Sequence, residues 1–88
     1  MVLGFTKAAA LDLAPYRVHV NAICPGFVDS AFAEYDPNTR KAVESMHPFG
    51  KRMGVPEDIA GIAVFLASDD ARWVQGTGIV VDGGFTCQ

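Results

Sequence analysis

Apolar residues at Val2, Phe5, Ala9 and Leu13 recur at spacings of three, four and four, which places them along one stripe of a helix that Pro15 ends. The body of that helix, KAAALDLA, consists of strong helix formers, and its alanines let a neighbouring element approach closely. From Val18 to Cys24 the pattern changes. Val18, Val20 and Ile23 between Pro15 and Pro25-Gly26 predict a short strand, and the two-residue link after Pro15 keeps it close to the helix. An irregular stretch, Phe27 to Asp36, leads into DPNTRKAVES, where Asp36 is placed to cap a helix that opens on Pro37. HPFGKRMG is loop by composition. Pro56 then opens another helix with Glu57 and Asp58 in its first turn, where acids suit the positive end of the dipole. Ile59, Ile62, Ala63 and Leu66 form its predicted buried stripe. SDD closes that helix, ARWV adds a helical turn anchored by Trp73, and beyond QGTG a second apolar strand runs from Ile79 to Asp82 before Gly83-Gly84.

The order helix, strand, loop with helix, helix, strand is that of a parallel β-α-β unit, and the fold class expected is α/β. Parallel sheets are covered on both faces and continued by further strands. Residues 1–88 are therefore expected to form a single partial domain at the end of a larger, doubly wound sheet, with further strands before Met1 and Met1 itself internal to a longer reading frame.

Composition agrees. Half of the 88 residues are apolar and only 19% are charged, and a mean hydropathy of +0.21 is high for so small a chain. A chain of this size can hide only part of that surface in its own core, so it is expected to pack against something else. No apolar run approaches the ~20 residues of a spanning helix, and the N-terminus lacks the basic region of a signal peptide. A net charge of −3 argues against a nucleic-acid partner, despite Lys51-Arg52. Cys24 and Cys87 have neither metal-ligand spacing nor a disulfide framework, so a reducing, cytoplasmic setting is expected.

In open parallel sheets ligands bind beyond the carboxyl ends of the strands, so chemistry is expected just after Cys24, where Pro25-Gly26 admits a ligand close to the backbone. On local sequence alone a simple turn explains the pair equally well. The wider pattern is more informative. VLGFTKAAALDLAP, RVHVNAICPGFVDS, RMGVPEDIAGIAVFLASDDA and GTGIVVDGG closely resemble, in order and spacing, the C-terminal part of the short-chain dehydrogenase/reductase family. The resemblance covers almost the whole chain. It implies the C-terminal part of a Rossmann-type sheet, an alcohol or ketone substrate, and NAD or NADP as cofactor. Carried over by position, Pro25 and Gly26 would line the nicotinamide side, Val28 would offer its backbone and Ser30 its hydroxyl. The family usually has threonine at the place of Ser30, and serine keeps the hydroxyl. A homo-oligomer interface near residues 1–14 and 73–88 is implied as well.

The family's glycine-rich phosphate loop, catalytic serine and Tyr-x-x-x-Lys pair have no counterpart in these residues. No catalytic residue is assigned, because neither Tyr16 nor Tyr35 has a lysine four positions on. GTGIVVDGG superficially looks like a dinucleotide fingerprint, but its glycines precede a strand instead of opening a helix. His19 is expected to be a packed or hydrogen-bonded sheet residue and His47 a loop residue. Asp69-Asp70 is expected to be a solvated helix exit, so no metal site is assigned. Phe27, Phe32, Tyr35, Met46 and Phe49 surround what the resemblance implies is the mobile substrate lobe, with core packing as their ordinary role. The expectation is a C-terminal segment of a nicotinamide-dependent oxidoreductase, inert as the 88 residues alone. The alternative is a non-enzymatic module that associates with a full-length relative.

Overall fold

The structure, a computed structural model, describes residues 2–30 and 34–88. Met1 and Phe32 lie outside the described residues. Helix α1 (Val2–Leu13) runs into a 3-10 turn at Ala14–Tyr16, and strand β1 (Ala22–Pro25) follows. Helices α2 (Pro37–Ser45) and α3 (Pro56–Leu66) precede a 3-10 turn at Asp69–Ala71, strand β2 (Gly78–Val81) and a last turn at Phe85–Cys87. β1 and β2 pair in parallel, Ala22 opposite Gly78 and Pro25 opposite Val81. This is the crossover arrangement the sequence predicts, on an α/β sheet with α1 and α3 both packed against β1.

Local chemistry sets both later helix starts. The Asp36 carboxylate accepts from the Thr39 amide at 2.8 Å and from its hydroxyl at 2.9 Å, capping α2 ahead of Pro37. Asp58 reaches back to accept from the Val55 amide at 2.7 Å, so α3 is capped by its own first turn, and Arg52 braces the same carboxylate at 2.7 Å.

β1 begins four residues later than the pattern of Val18, Val20 and Ile23 predicts. The segment before it is extended, but side chains replace much of the ladder. Gln75 donates to the carbonyls of Ala10 (2.9 Å) and Val18 (3.1 Å) and accepts from the Val20 amide (3.0 Å). Asn21 likewise donates to the Val74 carbonyl and accepts from the Thr77 amide. One glutamine thus ties the end of α1 to the strand entry, which is why the short link keeps the two close.

The stripe predicted for α1 is helical but does not face the core. Val2 and Phe5 are exposed, Phe5 by 76%, while Thr6 and Ala10 are the buried residues. Small side chains explain the choice: Ala10 sits over Gly76, and Leu3 lies where a Cβ on Gly78 would be. On α3, Ile59, Ile62 and Leu66 are half-buried, but Ala63, Val64 and Phe65 are exposed. Trp73, expected to anchor the turn after α3, is 96% exposed and packs against nothing substantial among the described residues. Phe49 is likewise out of the core, at 80% exposure. Asp69 and Asp70 form an exposed 3-10 turn. No helix among the described residues is long and apolar enough to cross a membrane.

Candidate functional site at the strand exits

Both strands end at the same edge, and the loop after β1 crosses over the exit of β2. The Gly26 amide donates to the Val81 carbonyl at 3.0 Å, one step beyond the last ladder pair. A Cβ at Gly26 would lie 2.8 Å from the Asp82 Cβ and 3.0 Å from its Cα, so only glycine allows this crossing. Pro25, Gly26 and Phe27 then line a hollow of about 390 Å³ with Cys24, Val80 and Phe85.

Val28 stands opposite Gly54 in an isolated parallel bridge. The bonds run through its neighbours: the Asp29 amide donates to the Gly54 carbonyl (2.8 Å), and the Gly54 amide donates to the Phe27 carbonyl (2.9 Å). Alternation along an extended chain then turns the N–H and carbonyl of Val28 to the opposite edge, away from Gly54. Ser30 is half-buried at the end of the same run. The four positions marked in the sequence therefore lie on one short, braced segment at the carboxyl end of the sheet.

The acids around this segment are committed to structure. Asp82 accepts from the Thr86 hydroxyl (2.7 Å), the Thr86 amide and the Gly84 amide, and these bonds, the hydroxyl's foremost, hold its carboxyl below the usual carboxylate range. Asp29 receives Arg40 of α2 at 2.7 Å, and that guanidinium lowers its carboxyl too. Asp58 is lowered chiefly by Arg52. Carboxylates held ionised in this way are poor proton donors near neutrality, so the segment can bind and orient a ligand but offers no general acid. Among the described residues no group of three His, Cys, Asp or Glu is placed to hold a metal ion.

Three participants are not assigned from the sequence. Gly54 sits in a stretch that reads as loop, yet it supplies the bridge. Asp82 reads as the last residue of a strand, yet it caps the final turn; the Asp-x-x-x-Thr spacing was the available signal. His47 reads as loop, and it does lie between elements, but it is buried at 2% exposure with Nδ1 2.8 Å from the Val43 carbonyl. His19, expected to be a packed or hydrogen-bonded sheet residue, is exposed and precedes β1, and of that expectation only the hydrogen bond stands, its Nε2 lying 3.0 Å from the Arg72 carbonyl.

The comparisons with known proteins take in almost the whole chain. A family model described as enoyl-(acyl carrier protein) reductase matches residues 1–86. The chain belongs to the short-chain dehydrogenase/reductase family. It is 45% identical over 86 residues to tropinone reductase-like 3 of Erythroxylum coca and 41% identical over 86 residues to a cyclohexanol dehydrogenase of Acinetobacter. These alignments take in 94% and 97% of this chain but 33% of each relative, so the chain spans about a third of the length of the curated relatives it matches. A short-chain dehydrogenase family protein from Francisella tularensis superposes with a TM-score of 0.89 at 33% identity, over 99% of this chain and 40% of that one. The chain is thus a member of an oxidoreductase family whose Rossmann-type sheet it shares in part.

Proposed function

We propose that these residues form the nicotinamide side of an NAD- or NADP-dependent oxidoreductase that interconverts an alcohol and a ketone, with the rest of the site supplied by other polypeptide. The observation that carries this reading is the strand exit: Gly26 laid against Asp82, and the Val28 peptide turned away from Gly54 beside an open hollow. Pro25 and Gly26 would line the nicotinamide, the Val28 backbone and the Ser30 hydroxyl would hold its carboxamide, and the cofactor would carry the hydride. Nothing in the segment moves the accompanying proton, and no glycine-rich turn between a strand and a helix is present among the described residues to seat a pyrophosphate.

The test is the native product, captured through an epitope placed after Gln88, with its intact mass and its NAD(P)-dependent alcohol oxidation measured together. A species well above 9.4 kDa that oxidises alcohols, beside an inert 88-residue chain that binds cofactor weakly at best, is the expected result. Turnover by a 9.4 kDa species alone would sink the proposal.

One observation favours a second reading. The bare apolar surface of α1 together with Trp73, within residues 1–14 and 73–88, is suited to association with a second subunit. If the chain acts as a non-enzymatic module, it will co-elute with a full-length relative of the family; a chain that never does so excludes that role.

A further inference from the structure

Three aromatic rings from three separate segments meet behind the strand-exit loop. Phe27 comes from the loop after β1, His47 from the loop after α2, and Phe85 from the turn after β2. Phe27 and His47 stand edge to face at 5.8 Å, Phe27 and Phe85 at 5.9 Å, and His47 lies tilted against Phe85 at 5.6 Å. The triangle is closed, and His47 is its buried corner.

An imidazole is a costly choice for that corner. With Nδ1 2.8 Å from the Val43 carbonyl, Nδ1 must be the donor of that bond, while Nε2 is buried and without a partner among the described residues. Leucine or phenylalanine would fill the space without an orphaned nitrogen. What histidine adds is the bond to Val43, which ties the triangle to the last turn of α2. A second tie runs from α2 to the same loop, where Arg40 reaches Asp29 at 2.7 Å. The two ties land on Phe27 and Asp29, the residues on either side of Val28.

We infer that His47 and Arg40 are positioning residues, through which α2 fixes the heading of the Val28 peptide and hence the seat of the nicotinamide carboxamide. The inference rests on the reading given under Proposed function. Neither side chain touches the cofactor; each acts through a residue adjoining Val28. A movement of α2 would then be felt directly at the nicotinamide.

The experiment compares two ligands on the native product: the dinucleotide, and ADP-ribose or its 2′-phosphate, which lack only the nicotinamide. His47→Leu is expected to weaken the dinucleotide about tenfold and ADP-ribose less than about twofold, while His47→Asn, which keeps a donor near the Nδ1 position, recovers most of the loss. Equal losses for both ligands would mean general damage and would overturn the inference, as would no loss at all. Should His47→Leu fail to fold, the exposed pair decides. Arg40→Asp should lower the preference for the dinucleotide about threefold, and adding Asp29→Arg should restore it. A double variant as poor as the single one removes the coupling. A wild-type product that binds both ligands equally, or neither, defeats instead the reading of the site on which the inference rests.

Discussion

The strand-exit end of the molecule and the outer faces of α1 and α3 are built from the same chain but to opposite standards. At the strand exits the acids and the crossing backbone are paired: Asp82 accepts three hydrogen bonds, Asp29 is paired, and Gly54 is bonded through both its amide and its carbonyl. On the helices, Val2, Phe5, Leu11 and Val64 stand in solvent with nothing over them. On the function proposed above, that end must hold a ligand in a fixed pose, so its own backbone has to be held. A surface that will be covered can be left apolar, because its favourable burial comes from whatever covers it.

The contrast can be broken most forcefully at Gly26. Its added Cβ meets backbone that cannot step aside, so Gly26→Ala is expected to cost about 1–3 kcal/mol in a urea titration of the native product and to weaken the dinucleotide more than ADP-ribose. The same change at Gly78 clashes chiefly with the flexible tip of a part-exposed Leu3 side chain, with Cys24 Sγ at 3.4 Å, and alanine suits a strand better than glycine. Gly78→Ala should therefore shift stability by no more than about 0.5 kcal/mol in either direction. Equal costs at the two glycines would mean that the helix face is as tightly built as the strand exit. Phe5→Glu sharpens the other half of the comparison. In the 88-residue chain it should leave stability within about 0.5 kcal/mol and raise solubility, whereas a heavier native product should lose about 2 kcal/mol or more as a buried contact disappears.

Acid gives the smallest effect. Asp29, Asp36, Asp58 and Asp82 all titrate below the ordinary 3.8 in the folded chain. Their contribution is present in full above about pH 4 and is lost as pH falls through their folded values. Asp36 is exposed and the other three are only half-buried, so all are well screened, the loss should be gradual, and raised salt should shrink the part that arises from the Asp29–Arg40 and Asp58–Arg52 pairs. A midpoint of urea unfolding that stays flat from pH 5 to pH 2 would show that these bonds carry no weight.

What the sequence made legible follows the range of the interaction. Asp36 before Pro37 and Asp58 after Pro56 act within three residues, so the starts of α2 and α3 could be read directly. Pro25-Gly26 also marked the right edge of the sheet, because a strand exit with a glycine is a local statement about backbone access. The start of β1 was not legible, since it depends on Gln75, 55 residues away from Val20. The periodicity of α1 gave a helix correctly, but which of its faces meets the sheet is decided by glycines in β2 and the turn before it. His47 offered no signal of any kind; it is buried because two distant segments, those of Phe27 and Phe85, converge on it.

The parallel pairing of β1 and β2 also has a consequence in time. Asn21 and Thr77, which flank the ladder, are 56 residues apart, and α2 and α3 must both be laid down between them. Closing so long a loop costs entropy before any ladder bond repays it, and folds dominated by such contacts form slowly. The loop after β1 rests on the exit of β2, so it cannot take its final course until that closure is made. The strand-exit loop is therefore among the last parts of the molecule to acquire its shape. Until then two short apolar strands lie unpaired, and that interval is when the chain is most exposed to association with copies of itself.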